Sequence, residues 1–459
     1  MDAVQRIAEA TQGTSWENHL FLVGGAVRDP LLGLPPPRDV DIVVEGDALK
    51  LAEFLYERGL SIARPAKYPR FGTALIMVEG SKVELASTRK ESYTPETRKP
   101  RVRPAALRED ALRRDFTINT ILRNIHTGEL LDPVGTGRKD LEQRLLRTPL
   151  DPKQTFSDDP LRMLRAVRFK NRFGLTPVSE LWDALREEKD RLVIVSAERI
   201  RDELIRMLLH PTAAQSLRDL MDRNLLSVFA PEFCEGVGVD QGSYHARDVW
   251  EHTTDVVDLA AKREYSEETE RLIVVLSALF HDVAKPRTKT IDPEGRVRFL
   301  GHDKQGAEIA HSRLRQLRFP RYIIDSVSKL VYHHMRLGSA VPFTFSAARR
   351  LVRDMGHLTF PLVTLVECDA RAIGRREKEL DFTTIRELLH AVMEQSKKVP
   401  IGSPLSGEEI MEFLRLPPGS KVGYWKQRLT EAVLEGEIPA GDKESALQWL
   451  RTHALQEGD

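Results

Sequence analysis

The sequence predicts an α/β head followed by a long, mainly α-helical body. Short apolar runs at 21–23, 40–44, 73–78 and 82–86 alternate with a helical run at 48–58, the mixture of periods that an α/β layer needs. From about residue 245 the chain turns helical and rich in histidine. Length sets the scale: 459 residues exceed one ordinary core, so two to four domains are expected.

Composition narrows the class. Hydrophobic residues make up 41% and charged residues 30%, a globular balance. The longest largely apolar run, 272–280, is far too short to span a membrane. No basic leader precedes an apolar segment, so export is not expected. Cys234 and Cys368 allow neither a disulfide framework nor a four-cysteine metal site, and a cytoplasmic protein is the simplest expectation. Formal net charge is zero, yet residues 89–114 carry nine Lys/Arg against four Asp/Glu, and residues 138–173 ten against five. Positive field thus gathers in the first 175 residues, where a polyanion could sit.

Residues 1–18 read as an amphipathic packing helix with Val4, Ile7 and Ala8 on one side. The stretch 21–46, FLVGGAVRDPLLGLPPPRDVDIVVEG, organises the chemistry. Its first apolar run breaks at Gly24-Gly25, and its second carries Asp39 and Asp41. Strand side chains alternate faces, so residues i and i+2 project into one space about 7 Å apart. Such a pair suits Mg2+, and two ions about 4 Å apart can clamp both the attacking and leaving oxygens of a phosphoryl transfer. Glycines let backbone N–H groups approach a phosphate chain, and Arg28 adds a fork of donors. Singly, GG also fits a tight turn and DVD an exposed strand edge; their order is the specific signal.

Runs 73–78 and 82–86 read as a hairpin around Glu79-Gly80, with Glu84 on its second strand as a third acid or a solvated glutamate. Residues 89–112, rich in Pro and charge and lacking any period, read as a mobile loop. In RRDFTIN (113–119), an Arg-Asp pair opening a helix can serve a triphosphate through Arg114 and a ribose hydroxyl through Asp115 or Asn119; a plain helix start is the alternative. Residues 131–147 receive no chemistry.

At 157–169, SDDPLRMLRAVRF, Asp158 or Asp159 can cap a helix with Pro160 in its first turn, while Arg162, Arg165 and Arg168 share a face. Carboxylate only accepts and guanidinium only donates. Cytosine and adenine offer an amino donor beside a ring-nitrogen acceptor; guanine and uracil offer the reverse. An Asp159/Arg162 pair therefore complements C and A, and a mismatch can be rejected by about 10⁴-fold or more. A capping aspartate with a solvated arginine face is the alternative.

These motifs together resemble the signature of the tRNA nucleotidyltransferase and poly(A) polymerase family, of the bacterial CCA-adding type. Thr120 stands where the family's motif has alanine, and Asp158 where glutamate is commoner. The resemblance implies a polymerase-beta-like nucleotidyltransferase head with a mixed sheet, a helical neck, an HD domain and a helical tail. It also implies untemplated growth of a tRNA 3' end from CTP and ATP. Asp39, Asp41 and Glu84 would be catalytic, with Mg2+ on the two aspartates. Gly24, Gly25, Arg28, Arg114, Asp115, Asn119, Asp159, Arg162, Arg165 and Arg168 would bind the nucleotide. In resembling enzymes the loop matching 89–112 helps the pocket change from CTP to ATP, which favours CCA or A addition. A-only, CC-only and poly(A) synthesis remain alternatives. Residues 196–204, SAERIRDEL, match a further family helix and read as packing.

The ordered set His252, His281-Asp282, His302, His333-His334 and Asp369 combines imidazole and carboxylate in a way that suits Mn, Fe, Ni or Zn. It looks like an HD-type phosphohydrolase domain, a class that hydrolyses phosphomonoesters or cyclic phosphates with metal assistance. Relatives also retain this fold as tRNA-binding architecture, and Lys285 faces either a phosphate or solvent. The rival classes are an HD hydrolase and a non-catalytic RNA-binding relic. Residues 400–449 read as packed helices. The expected division is a head at 1–146, a neck at 147–240, an HD domain at 241–375 and a tail at 376–459. The expected partners are a tRNA 3' end, CTP and ATP, and no membrane.

Overall fold

The computed structural model describes residues 2–94, 97–242, 247–337, 343–373, 381–398 and 401–454, without the side chains of 90–94, 97–102 and 398. The chain divides into two compact units, Met1–Cys234 and Glu235–Asp459. The expected boundary at 375/376 lies outside the described residues.

A mixed sheet opens the first unit. Its strands are β1 (Leu20–Val23), β2 (Val40–Val44), β3 (Ala66–Tyr68), β4 (Thr73–Val78) and β5 (Ser81–Ser87), joined by two short later strands. With those later strands at Leu122–Asn124 and Leu130–Leu131, the order runs β3-β4-β5-β2-β1 and then the two latecomers. β2 and β5 are parallel, while β1 pairs antiparallel with β2. Helices α1 (Ala3–Thr11), α2 (Gly25–Leu31) and α3 (Ala48–Glu57) lie in the same region.

Alternation along β2 decides where the acids go. Val40, Ile42 and Val44 are buried with Ile7 of α1, Leu51 and Leu55 of α3, and Val83 and Leu85 of β5. Burying one such aliphatic side chain contributes about 1.5–3 kcal/mol. Odd-numbered residues must then face the other way. Val43 joins Phe21 and Val23 in a second cluster on that side, and Asp39 and Asp41 emerge there exposed.

Residues 89–112 are not a loop. They form β6 (Arg89–Thr94) and β7 (Thr97–Pro104), an antiparallel ribbon with Arg89 opposite Pro104, followed by α4 (Leu107–Leu112). Main-chain bonds alone can pair two strands, so a ribbon does not require an apolar period in its sequence. Residues 95 and 96 lie outside the described set. The RRD segment likewise does not open an α-helix. Arg113 ends α4, and 117–119 make one 3₁₀ turn, pinned where Thr117 N donates to the Arg147 carbonyl at 2.9 Å.

After β8 (Leu122–Asn124) and β9 (Leu130–Leu131), the unit becomes helical: α5 (Gly137–Glu142), α6 (Pro152–Asp158), α7 (Leu161–Phe173), α8 (Ser179–Glu187), α9 (Ala197–Leu208), α10 (Ala213–Asp222) and α11 (Leu226–Phe229). α7 ends at Gly174, whose φ of +61° gives the left-handed turn a helix stop requires.

The second unit is built on α12 (Val249–Lys262), α13 (Glu268–Phe280), α14 (Lys285–Thr288), α15 (His302–Gln316), α16 (Arg321–His333), α17 (Phe345–Met355), α18 (Thr359–Ala372) and α19 (Phe382–Lys398). A small hairpin, β10 (Lys289–Ile291) with β11 (Val297–Phe299), precedes α15. Three further helices, Gly407–Leu414, Ser420–Glu435 and Lys443–Ala454, share a core around Trp425, Leu429 and Leu450. Among the described residues no helix is long and apolar enough to cross a membrane.

Candidate active site and metal centre

The parallel register of β2 and β5 sets Asp41 directly beside Glu84. On β5 Val83 and Leu85 point into the core, so Glu84 rises on the same exposed face as Asp41. Gly24 has φ +66°, a left-handed conformation that side chains resist, and a Cβ there would stand 3.9 Å from Asp41 Oδ2. The chain thus reaches the acids with bare backbone. Asp41 is solvent-accessible but crowded by protein, and this desolvation, reinforced by Glu84 and Asp39, pushes its carboxyl above the ordinary value. Three acids in an all-oxygen set suit a hard divalent cation.

Arg114 comes from the turn after α4. Its Nη2 donates to Asp110 at 3.0 Å, and its buried Nε has no partner. Asp110 is held below the usual carboxylate range despite its burial by Arg114 and Arg113. A cation beside an exposed acid cluster fits an anionic ligand such as a triphosphate.

Arg28 lies beside Gly25, where a Cβ would stand 3.6 Å from its Nη2. Its guanidinium is buried, with Nε and Nη2 donating to Asp29 Oδ1 and Nη1 to Asn119 Oδ1 at 2.6 Å, and it lies 4.3 Å from the Phe173 ring centroid. Three of its five donors are thus engaged by neighbouring side chains. Asn119 in turn donates to Asp115 Oδ1 at 2.8 Å, and Asp115 Oδ2 accepts from Arg165 Nε and Nη2 at 2.8 and 2.6 Å. Burial raises the Asp115 carboxyl, but Arg165, Asn119 and Arg162 outweigh it and hold the group far below its ordinary value. The result is a buried chain of charge from α2 through the 3₁₀ turn to α7.

The arginine stripe of α7 divides by burial. Arg168 is buried and donates to Glu203 at 2.5 Å, so it packs against α9. Arg162 reaches the Thr155 and Arg113 carbonyls at 3.3 and 2.6 Å. Asp159 precedes α7 and accepts at Oδ1 from Leu161 N at 3.3 Å, while Asp158 ends α6. The Asp159 carboxylate is held by Arg199 of α9, at 3.2 and 2.8 Å. Sequence reading missed Arg199 and Glu203. The available signal was their spacing: four residues apart on α9, they share one face toward α7.

In the second unit the Nδ1 atoms of His281, His302 and His334 face the carbonyls of Ala278, Phe299 and Val331 at 2.8, 2.7 and 2.6 Å. Donation to a carbonyl fixes the tautomer that leaves Nε2 as a ligand. Two ligand sets result, His252-His281-Asp282 and Asp282-His302-His334, sharing the Asp282 carboxylate. Asp369 Oδ1 lies 3.0 Å from His252 Nε2. Burial and the neighbouring His281 push His334 down to about 4, so it is neutral and able to ligate. Although burial opposes it, His281 and Lys285 hold Asp282 well below the carboxylate range. Asp282 Oδ2 accepts no hydrogen bond of good geometry, although Lys285 Nζ is 2.7 Å away. Imidazoles converging on an ionised, buried carboxylate fit a divalent metal. His333 is not part of this set: its ring lies edge-on to Tyr332, because a helix turns adjacent residues about 100° apart.

Comparison with known proteins gives three family matches: the Poly A polymerase head domain over residues 20–147, the probable RNA and SrmB-binding site of polymerase A over 174–236, and the HD domain over 249–401. An A-adding tRNA nucleotidyltransferase of Deinococcus radiodurans is 34% identical over 336 residues, 71% of this chain and 75% of that one. A CC-adding tRNA nucleotidyltransferase of Thermus thermophilus is 36% identical, covering 94% and 92%. The multifunctional CCA protein of Pseudomonas fluorescens is 31% identical, covering 89% and 99%. The crystal structure of the Bacillus stearothermophilus CCA-adding enzyme with CTP shares the fold at a TM-score of 0.70 and 21% identity, covering 100% and 98%.

Proposed function

The chain belongs to the tRNA nucleotidyltransferase family with a poly(A) polymerase-type head, and on that basis we propose that it adds the 3'-terminal CCA to tRNA from CTP and ATP without a nucleic-acid template. The observation that carries this is the register that sets Asp41 beside Glu84, next to a glycine-bared backbone. In the reaction the tRNA 3'-oxygen bonds to the nucleotide α-phosphorus, and the bond from that phosphorus to pyrophosphate breaks. Asp39 and Asp41, with Glu84 as third acid, would hold Mg2+, which supplies positive charge to the attacking and leaving oxygens. Arg114 holds the triphosphate by its charge, and Gly24 and Gly25 let the chain approach it closely. Arg28, Asn119, Asp115 and Arg165 hold the 3₁₀ turn and α7 in place, and Arg168 anchors α7 to α9. Asp159, aimed by Arg199, and Arg162, aimed by two carbonyls, read the amino and ring-nitrogen positions of C and A.

The division that supports this reading is a head at 1–146, a neck at 147–240, an HD domain at 241–375 and a tail at 376–459. The site of action is the cytoplasm. A second reading, single-step addition of only A or only CC, is favoured by the names of the two relatives that are 34% and 36% identical. Incubation of tRNA lacking CCA, and of tRNA ending in CC, with each nucleotide separately tests both. Addition of CC from CTP to the first tRNA and of A from ATP to the second is expected, with Asp41→Ala inactive on both. Extension of only one substrate supports the second reading. Extension surviving Asp41→Ala overturns both.

The centre in the second unit is a divalent-metal site whose proposed chemistry is hydrolysis of phosphomonoesters or cyclic phosphates. Hydrolysis of a cyclic nucleotide that survives Asp41→Ala and is lost in His281→Ala supports it; no hydrolysis with any of Mn, Ni, Fe or Zn removes it.

A further inference from the structure

A cavity of about 600 Å³ opens in the first unit where the parallel pair β2 and β5 ends, with Glu45, Asp47, Arg70, Phe71, Arg89 and Pro104 in its lining. Val44 faces Ser87 in the last register pair, so the cavity lies beyond the carboxyl ends of two neighbouring parallel strands, at the start of α3. Open α/β sheets take their ligands at that edge, and the volume is that of a small-molecule site, about 300–1,000 Å³. It is a different place from the acid cluster. Asp41 precedes Glu45 by four residues, about 13 Å along an extended chain.

A join between a sheet edge and a ribbon leaves crevices of its own, but the walls of this one are fixed. Arg89 and Pro104 are the paired root of β6-β7. Arg89 Nη1 donates to the Phe71 carbonyl at 2.5 Å, and Ala105 N donates to the Thr88 carbonyl at 3.2 Å. The chemistry of the lining then selects a ligand. Phe71, left 37% exposed, joins Pro69 and Pro104 in offering apolar faces to a flat ring. Two cations, Arg70 and Arg89, balance two acids, Glu45 and Asp47. The acids oppose a polyphosphate, so a nucleoside triphosphate does not fit; one negative group does. Asp47 spends Oδ1 on capping α3 and Glu45 lies 3.4 Å from His19, whereas the exposed Arg70 guanidinium sits 5.8 Å from the Phe71 ring centroid. A carboxylate on the ring would meet Arg70.

We propose that this cavity is an effector site for a flat aromatic ring bearing a single carboxylate, and that its occupancy changes how tightly the nucleotide is held. The link is Asp110. Its Oδ1 accepts from the main-chain N–H of Arg89 at 3.2 Å, in the cavity wall, and its Oδ2 from Arg114 at 3.0 Å. Arg113 Nε adds a bond to the Arg89 carbonyl at 3.2 Å. A ligand that shifts the ribbon root therefore pulls on the carboxylate that holds Arg114. The coupling rests on the function proposed above, where Arg114 holds the triphosphate.

The test titrates the full chain with indole-3-acetate, a flat ring with one carboxylate, by calorimetry. Saturable binding is expected, about tenfold weaker in Arg70→Gln, which loses a charge-assisted contact, and about tenfold weaker in Phe71→Ala, which loses the ring wall. Both side chains are exposed, and Phe71→Ala keeps the carbonyl that Arg89 grips, so both variants should melt with wild type. The neutral probe indole-3-acetamide should bind wild type and Arg70→Gln alike. With the carboxylate probe bound, CTP affinity should change by about fivefold or more, and CTP should change probe affinity by the same factor. No saturable binding, or equal binding by wild type and both variants, overturns the site. CTP affinity unmoved by the bound probe overturns the coupling. A wild type that binds the probe as expected and extends no tRNA leaves the cavity assigned and removes the proposed function instead.

Discussion

Asp41 is the residue on which catalysis would turn, and its environment makes its titration readable. Its carboxyl is raised by desolvation and by Glu84 and Asp39, so in the folded protein it releases its proton above the ordinary carboxylate value. Incorporation should therefore rise with pH through that raised midpoint and fall below it. Replacing Glu84 with Gln removes one repulsive neighbour while leaving the desolvation, so the acidic limb of the pH–rate profile should move to lower pH. An unmoved limb would separate Glu84 from Asp41. Arg199 offers a second residue-scale prediction. Because it holds the Asp159 carboxylate at two contacts, Arg199→Met should lower discrimination of CTP and ATP over UTP and GTP by at least about tenfold. Single-nucleotide incorporation under matched triphosphate concentrations reads this directly. Both positions differ in how visible they were beforehand. Asp41 announces itself by its alternation with Asp39, whereas Arg199 looks like any helix arginine until α9 is laid against α7.

Among elements, the turn 117–119 depends on the helix that follows it. A Cβ at Gly137, the first residue of α5, would stand 2.6 Å from the Thr117 carbonyl oxygen and 3.1 Å from Thr120 Oγ1. Backbone oxygen cannot yield as a flexible side chain can, so Gly137→Ala should cost about 1–3 kcal/mol, measured as a lower urea midpoint with unchanged m. Incorporation should fall with it, because Asp115 and Asn119 ride on the displaced turn. The strands β2, β4 and β5 and helix α3 were legible because each has one face to bury. The ribbon β6-β7 is paired through its main chain, which leaves no mark on residue order, and so its sequence carried only the look of a loop. The RRD segment failed as a helix start for a different reason: its conformation is decided by Arg147 and Asp140, some 23 to 30 residues later.

For the whole molecule, the two units should respond separately to metal. The paired ligand sets around Asp282 predict that nickel or manganese binds the wild type with one equivalent more than the variant His302→Ala/His334→Ala, measured by metal analysis after gel filtration. Metal held only by the folded state should also raise the melting temperature, by about 2.7 kcal/mol of added stability at a hundredfold excess over Kd. In calorimetry that shift should shrink in the histidine variant, which keeps the His252-His281-Asp282 set, whereas an undiminished shift would place the metal elsewhere. The sequence by itself determined the class of chemistry at both centres: apolar alternation and ligand type are local properties, and D-x-D, RRD, DDPLR and the histidine series state them without folding. Tertiary structure decided which of those side chains are free to meet a ligand. Arg28 and Arg168 are as cationic as Arg114, but burial against Phe173 and Glu203 commits them to the fold. A guanidinium's partners come from distant segments, and only packing brings those segments within reach.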